Sequence, residues 1–440
     1  MALFGTDGVR GVANVDLTAE LALDLAVAAA HVLGEVGAIS KIRPKAIVGQ
    51  DSRASGEFLE AAIVAGLASA GVDVYKVGVL PTPAIAHLVA SSGADLGVMI
   101  SASHNPMPDN GIKFFAKGGG KLDDALELAI ENRLNEPWDR PIGRDVGRVI
   151  VDESAAERYI YHLLSSLSVN LSGIKVVVDC ANGAASEVAP EVYARAGAEV
   201  IAISNQPNGL NINDNCGSTH LENLIAEVKR QGADLGIAHD GDADRCLAID
   251  ASGNLVDGDY ILAILAKEWK VQTVVGTVMT NLGFIKAMTE TGIAFEKTPV
   301  GDRYVLVNML TNGHKLGGEQ SGHIIMRDFA NTGDGLLTAL QLMSVMAKSK
   351  KSLSELAKIM IRFPQVLINV DGVNKANLTS SKAIAAAIGD SESKLGANGR
   401  ILLRASGTEP LVRVMVEAES EVVASEIAQK LATLVRSELS

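Results

Sequence analysis

The chain has 440 residues, 48% of them hydrophobic, and a formal charge of −13 from 39 Lys and Arg against 52 Asp and Glu. That length exceeds one ordinary hydrophobic core and calls for two to four domains. The acidic balance excludes a nucleic-acid binder, which needs a basic face, but a few local Arg and Lys can still hold a small anion.

Glycine is abundant (43) and aromatics are scarce (4%), as suits many tight strand–helix turns. Cys180, Cys216 and Cys246 are widely spaced, with no C-x-x-C pair, and read as free core thiols in a reducing compartment. No basic segment followed by an apolar one opens the chain, so no signal peptide is expected. The most apolar stretch, residues 17–36, is interrupted by Glu20, Asp24 and His31 and reads as a helix with a buried face, not a membrane span. The expectation is a cytoplasmic protein with no membrane partner and no nucleic-acid partner.

In chain order, a helix is predicted over 20–35, a short strand over 46–49, a helix over 56–70 and a strand over 72–77. A helix over 81–90 with proline in its first turn then leads to a strand over 96–100. A second unit has strands over 174–179, 200–204 and 235–238, with helices over 186–196 and 221–231. A third has a strand over 273–279 and helices over 282–291, 302–310 and 335–347. After Phe363-Pro364 the pattern becomes strands over 366–370, 401–404 and 412–416 with helical stretches over 381–388 and 422–435, a compact α+β domain. The alternation predicts an α/β fold: three similar α/β units with mixed, mainly parallel sheets plus a C-terminal α+β domain, around a central cleft. The expected domains are 1–152, 153–250, 251–364 and 365–440.

One phrase recurs. Gly93-Ala94-Asp95-Leu96-Gly97-Val98 runs into Ser101-Ala102-Ser103-His104-Asn105-Pro106, and Gly232-Ala233-Asp234-Leu235-Gly236-Ile237 into Asp240-Gly241-Asp242-Ala243-Asp244-Arg245. A looser copy, Gly313-His314-Lys315-Leu316-Gly317, runs into Gly318-Glu319-Gln320-Ser321-Gly322-His323. Each loop would stand at the exit of an equivalent strand, the edge where open α/β sheets bind ligands.

The loops differ in chemistry. Ser103 offers a hydroxyl, a weak nucleophile unless a base or metal helps it; alone, Ser-His-Asn is more often a turn. Asp240, Asp242 and Asp244 alternate with small residues, so three carboxylates can turn toward one divalent cation, and would repel without it. Hard oxygen ligands suit Mg²⁺, and an EF-hand lacks its Gly and distal Glu here. Arg404-Ala405-Ser406-Gly407-Thr408-Glu409-Pro410 with Arg413 looks like an anion cradle, against a plain turn with surface arginines. Phe4-Gly5-Thr6-Asp7-Gly8-Val9-Arg10-Gly11 is a Gly-rich start but not a P-loop. Lys113 could steer phosphate or exchange protons, and Arg53 is equally open between a phosphate-binding role and a solvated one.

In order and spacing, these five segments resemble the α-D-phosphohexomutase superfamily across essentially the whole chain. Phe-Gly-Thr-Asp-Gly-Val-Arg-Gly at the start, Ile-Ser-Ala-Ser-His-Asn-Pro and Gly-Glu-Gln-Ser-Gly-His are most similar to its bacterial amino-sugar branch. The resemblance implies interconversion of glucosamine 6-phosphate and glucosamine 1-phosphate, toward UDP-N-acetylglucosamine. The alternative is a phosphomannomutase/phosphoglucomutase of the same superfamily. It implies phosphoserine at Ser103, one Mg²⁺ held by Ser103 with Asp240, Asp242 and Asp244, and Lys113, Arg10 and His104 at the reacting end. Glu319, Ser321, Thr298 and Gly301 would contact the sugar, and Arg404, Ser406, Gly407, Thr408 and Arg413 the non-reacting phosphate. A glucosamine 1,6-bisphosphate activator or intermediate, a homodimer and an activating kinase are further implications. A phosphatase or a non-catalytic phosphosugar sensor would be the readings from other classes.

Overall fold

The computed structural model describes residues 3–5, 7–36, 43–378, 380–405 and 411–440. The chain packs as two compact units: Met1–Val278 with Ile293–Lys358, and Met279–Gly292 with Ile359–Ser440.

The larger unit carries the repeat. In its first sheet Asp109–Ala116 runs antiparallel to Leu96–Ile100, which is parallel to Lys45–Gln50, which is parallel to Asp73–Val79. The second sheet has the same series: Leu247–Asp250, Leu235–Ala238, Lys175–Asp179, Glu199–Ile203. So does the third: Ile324–Met326, Leu316–Gly318, Thr273–Thr277, Ala294–Thr298. The serine, aspartate and Gly-Glu-Gln loops therefore leave equivalent strands, and the expected mixed, mainly parallel α/β architecture is present.

The recurring phrase has a local physical reason. Its first glycine closes a helix in the left-handed region, at φ 64° for Gly93, 59° for Gly232 and 77° for Gly313. Each of these N–H groups donates to a carbonyl four residues back, that of Val89, Val228 or Met309. The second glycine then lets the strand lie against that same residue. A Cβ on Gly97 would sit 2.5 Å from Val89, on Gly236 2.7 Å from Val228, and on Gly317 2.7 Å from Met309. The aspartate between them caps the neighbouring strand: Lys45 N–H donates to Asp95 (3.1 Å) and Lys175 N–H to Asp234 (2.8 Å). The third copy has Lys315 at that place and lacks the cap.

Among the elements with no counterpart in the sequence pattern are Asp109–Ala116, Gly258–Trp269 and Ala155–Ser165. Asp109–Ala116 begins with Asn110-Gly111, which reads as a turn. Its strand geometry comes from distant partners on both sides, Val9 opposite Ile112 and Met99 opposite Lys113. Gly258–Trp269 is apolar around most of its circumference and buried from Ile261 to Ala266, so no 3.6-residue stripe marks it. Ala155–Ser165 is also helical.

The smaller unit is an antiparallel sheet ordered Gln365–Asp371, Leu411–Ala418, Gly399–Ala405. Val370, Val412, Val414 and Val416 pack against Ala424, Ala428, Leu431 and Val435 of the Glu421–Leu439 helix. The helix Leu282–Thr291 belongs to this unit, where Glu417 accepts from Leu282 N–H (3.0 Å), Asn281 (3.2 Å) and Arg400 (2.6 Å). Among the described residues no helix is long and apolar enough to cross a membrane.

Candidate active site

Ser103 sits in the loop after Leu96–Ile100, buried, in the left-handed region at φ 52°. For a residue with a Cβ that conformation costs on the order of 1 kcal/mol and needs outside support. Ser103 N–H donates to Ser101 Oγ (3.0 Å), which donates to Asp51 (2.6 Å). Arg53 supplies the rest. Its five N–H groups reach Asp51 (3.0 Å) and the carbonyls of Ser103 (3.1 Å), Asn105 (2.8 Å), Pro106 (2.6 Å) and Asp109 (2.9 Å). Arg53 is thus neither solvated nor open to phosphate; it is the internal brace of the serine loop. From the second sheet's side, Asn213 Nδ2 donates to the same carbonyls of Ser103 (2.9 Å) and Asn105 (3.0 Å).

Asp240, Asp242 and Asp244 are buried in the loop after Leu235–Ala238, with one oxygen from each lying within 4.8 Å of the others. Ser103 Oγ donates to Asp240 Oδ2 at 2.5 Å, so the first two loops of the repeat share one site. Burial and the charges of Asp244 and Asp242 push Asp240 up to about 7. Asp242 Oδ1 and Asp244 Oδ1 are buried with no hydrogen-bond partner among the described residues. Clustered carboxylates with orphaned oxygens are what a hard divalent cation satisfies, and the donor set fits one.

The approach of the two loops depends on Gly241, where a Cβ would stand 2.5 Å from the Ser103 carbonyl oxygen. Gly241→Ala is expected to push the loops apart by a sizeable fraction of an ångström. A displacement approaching 1 Å lowers kcat roughly 10²-fold, with circular dichroism unchanged. A steady-state assay returning wild-type kcat would show that the contact is dispensable.

Lys113, on Asp109–Ala116, is buried between Asp242 (2.7 Å) and Asp7 (2.8 Å). Burial alone would lower its pKa, but Asp242 and Asp7 hold it above the ordinary lysine range, so it stands as an ammonium. Asp7 also receives Arg10 and Lys121. Against the effect of burial, Lys113, Lys121 and Arg10 keep it well below the usual carboxylate range. Lys121 reaches on to Asp302 (2.5 Å), and His323 lies between Asp302 (3.4 Å) and Asp244 (3.3 Å). Burial opposes a charge on His323, yet Asp244 and Asp302 raise it to about 9. The Gly333 N–H also points at Nε2 from 3.0 Å, so that donor and the two carboxylates compete for the ring. His104 Nδ1 is 3.3 Å from Ser103 Oγ; burial, then Arg245 and Arg10, push that ring down to about 4, so it is neutral.

The third loop interlocks with the second: Cys246 N–H donates to Gly322 O (3.0 Å) and Gly335 N–H to Ala243 O (3.0 Å). Glu319 accepts from Gly301 N–H (3.0 Å), which ties two of the expected sugar contacts together. Ser321 Oγ is buried without a hydrogen-bond partner among the described residues. Thr298 Oγ1 is within hydrogen-bond reach of the carbonyls of Gly276 and Pro299, so its hydroxyl is engaged by backbone.

In the smaller unit, Arg404 and Arg413 are direct cross-strand partners. Like charges at such positions repel, and Arg404 is lowered by burial and by Arg413. An anion between them would relieve this. Ser406, Gly407 and Thr408 lie outside the described residues.

Sequence reasoning left out Asp7, Lys121, Arg245, Asp302 and Asn213. Arg245 had a signal, since it ends the aspartate motif; its buried Nε is 3.9 Å from Asp240 and 3.8 Å from Asp244. Lys121 had none.

Four family profiles, described as phosphoglucomutase/phosphomannomutase domains I, II, III and the C-terminal domain, match residues 1–139, 157–253, 257–363 and 367–434. The chain is 61% identical to a phosphoglucosamine mutase of Streptomyces griseus, covering 99% of both chains. It is 60% identical to one of Acidothermus cellulolyticus, over 99% of this chain and 96% of that one. Among solved structures, a phosphoglucomutase/phosphomannomutase family protein of Burkholderia thailandensis superposes with TM-score 0.83 at 23% identity, over 100% and 98% of the two chains. An Aspergillus fumigatus N-acetylphosphoglucosamine mutase, solved with GlcNAc-6P and magnesium, superposes with TM-score 0.69 at 18% identity, over 100% and 96%.

Proposed function

The chain belongs to the phosphoglucomutase/phosphomannomutase family, and we propose that it interconverts glucosamine 6-phosphate and glucosamine 1-phosphate, as the names of its close relatives indicate. The observation that carries the reading is the Ser103 hydroxyl aimed at Asp240 inside the buried acidic cluster.

Phosphoryl transfer is mainly positioning and charge stabilisation. Phosphorylated Ser103 gives its phosphoryl group to the free hydroxyl of the sugar monophosphate. The bond from phosphorus to Ser103 Oγ breaks, a new bond to the sugar oxygen forms, and the hydroxyl proton leaves to a base. The resulting glucosamine 1,6-bisphosphate turns end for end, and Ser103 Oγ gives up its proton and takes the other phosphoryl group, whose bond to the sugar oxygen breaks as that oxygen is protonated. Asp240, Asp242 and Asp244, with an oxygen on Ser103, would hold one Mg²⁺. When bound, that ion supplies positive charge to the transferring group and lowers the pKa of the serine hydroxyl.

The protein's own groups do the rest. Arg53 and Asn213 keep the serine backbone fixed through both half-reactions. The Lys113 ammonium and Arg10 bring positive charge and proton-donating groups to the reacting end, and His104 offers a neutral ring beside Oγ. Glu319 and Ser321 are assigned to sugar hydroxyls, with Thr298 and Gly301 shaping the loop that carries them. Arg404, Ser406, Gly407, Thr408 and Arg413 are assigned to the non-reacting phosphate. The first phosphate on Ser103 comes from a kinase or a bisphosphate, and the enzyme works in the cytoplasm, with a homodimer as its assembly.

The test combines intact mass with and without phosphatase, and kcat/KM on glucosamine, glucose and mannose 6-phosphates with Mg²⁺ and trace bisphosphate. One removable phosphate on Ser103, the highest ratio for glucosamine and loss of turnover in EDTA are expected. Release of inorganic phosphate without isomerised sugar would make it a phosphatase. A higher ratio for glucose or mannose would move it to the other branch of the family.

A further inference from the structure

Two of the acidic-cluster carboxylates, Asp242 and Asp244, are the ends of one continuous run of opposite charges. From Asp242 it passes to Lys113 (2.7 Å), Asp7 (2.8 Å), Lys121, Asp302 (2.5 Å) and His323 (3.4 Å), and closes on Asp244 (3.3 Å). Its members come from all three repeats: Asp7, Lys113 and Lys121 from the first, Asp242 and Asp244 from the second, Asp302 and His323 from the third. All lie in the larger unit.

Lys121 is the middle link. It contacts neither Ser103 nor a carboxylate of the cluster, and it belongs to none of the five motifs. Its ammonium joins Asp7 to Asp302, with side-chain exposures of 11%, 18% and 16%. Each of those carboxylates holds a group that faces the cluster: Asp7 holds Lys113 and Arg10, and Asp302 holds His323.

We propose that Lys121 is a positioning residue for phosphoryl transfer: by neutralising Asp7 and Asp302 from behind, it leaves Lys113 and His323 free to lean toward Asp242 and Asp244. The idea rests on the proposed mutase reading. Without Lys121, Asp7 and Asp302 each lose a counterion and draw Lys113 and His323 back. Asp242 and Asp244 then lose neutralising neighbours, and a nearby positive charge has also gone. Two effects of opposite sense follow. A divalent cation binds the cluster more tightly, because the carboxylates are less compensated. Transfer slows, because the cations that should meet the phosphoryl group have retreated. General damage to the fold would weaken both.

The experiment uses the full chain as wild type, Lys121→Met, Lys121→Arg and Lys121→Met/Asp302→Asn, the last because it removes one of the two carboxylates left without Lys121. Mn²⁺ binding is titrated on the metal-stripped proteins by the EPR signal of free ion, and kcat and KM are measured on glucosamine 6-phosphate. Lys121→Met should lower the Mn²⁺ Kd severalfold and lower kcat about tenfold or more, with KM within about threefold; Lys121→Arg should restore both. If Lys121→Met folds poorly, the double variant must still show reduced kcat with Mn²⁺ binding no weaker than wild type. Unchanged Mn²⁺ affinity and kcat, or a parallel loss of both, overturns the proposal. Absence of mutase turnover in the wild type sinks the functional reading instead, and the Mn²⁺ titration still decides whether Lys121 governs the charge of the cluster.

Discussion

Ser103→Ala is expected to lower turnover of glucosamine 6-phosphate by at least about 10⁴-fold, since removing a covalent nucleophile leaves only binding and charge stabilisation. The KM and the unfolding midpoint should change little. Alanine suits φ 52° no worse than serine does, and the brace on this loop grips backbone carbonyls, which the substitution leaves in place. Two other hydroxyls stand close by. Ser101 Oγ donates to Asp51 (2.6 Å) and Thr82 Oγ1 to Asp242 (2.5 Å). The first is held by Asp51 and also accepts from Ser103 N–H. The second lies at the first turn of the Thr82–Ser92 helix, where its own N–H is bonded to the Asp242 carbonyl. Neither can move into the position of Ser103 without breaking those bonds. Intact mass should therefore lose the phosphate altogether in Ser103→Ala. More than a hundredth of wild-type turnover, or a phosphate persisting elsewhere on the chain, would end the phosphoserine cycle.

The three loops could be read in the sequence because each follows the same local grammar: a glycine to close a helix and a glycine to let strand meet helix, with an aspartate between them in the first two. The glycine requirements act over fewer than ten residues, and the repeat exposes them. What could not be read is what the fold brings from far away. Asp109–Ala116 is a strand only because two others flank it, and with it goes the burial of Lys113. Arg53 looked open between phosphate and solvent because four of its five partners are carbonyl oxygens, which have no letter in a sequence. Asn213 sits in an Asn-rich stretch that reads as a loop, and its two acceptors are more than a hundred positions away. The Leu282–Thr291 helix was legible as a helix, but its place in the smaller unit depends on Glu417, from the other end of that unit.

That distant brace is where the largest loss of stability is expected. Arg53→Met keeps the length and apolar character of the stem but removes five donors, leaving Asp51 and four loop carbonyls without them. Breaking a fully buried pair by deleting one partner costs about 3–5 kcal/mol, because the surviving charge is stranded. Some of that is recovered by protonation: burial already raises Asp51 and Arg53 is the chief influence lowering it, so the variant should hold Asp51 neutral. Arg53→Lys restores one charge beside Asp51 but cannot reach four carbonyls with three rotatable donors. Arg53→Met/Asp51→Asn removes the stranded charge but does not restore the bonds Arg53 made to the four carbonyls. The stability order from chemical denaturation should be wild type, then Arg53→Lys, then the double variant, with Arg53→Met lowest. All three variants should lose kcat more than their stability loss explains, since each frees the left-handed serine to relax and carry Oγ away from Asp240. A loss below about 1 kcal/mol in Arg53→Met, in the range of an ordinary surface change, would mean that the serine loop holds its shape without the brace. The strain at Ser103 would then have to be supported by Asn213 and Ser101 alone.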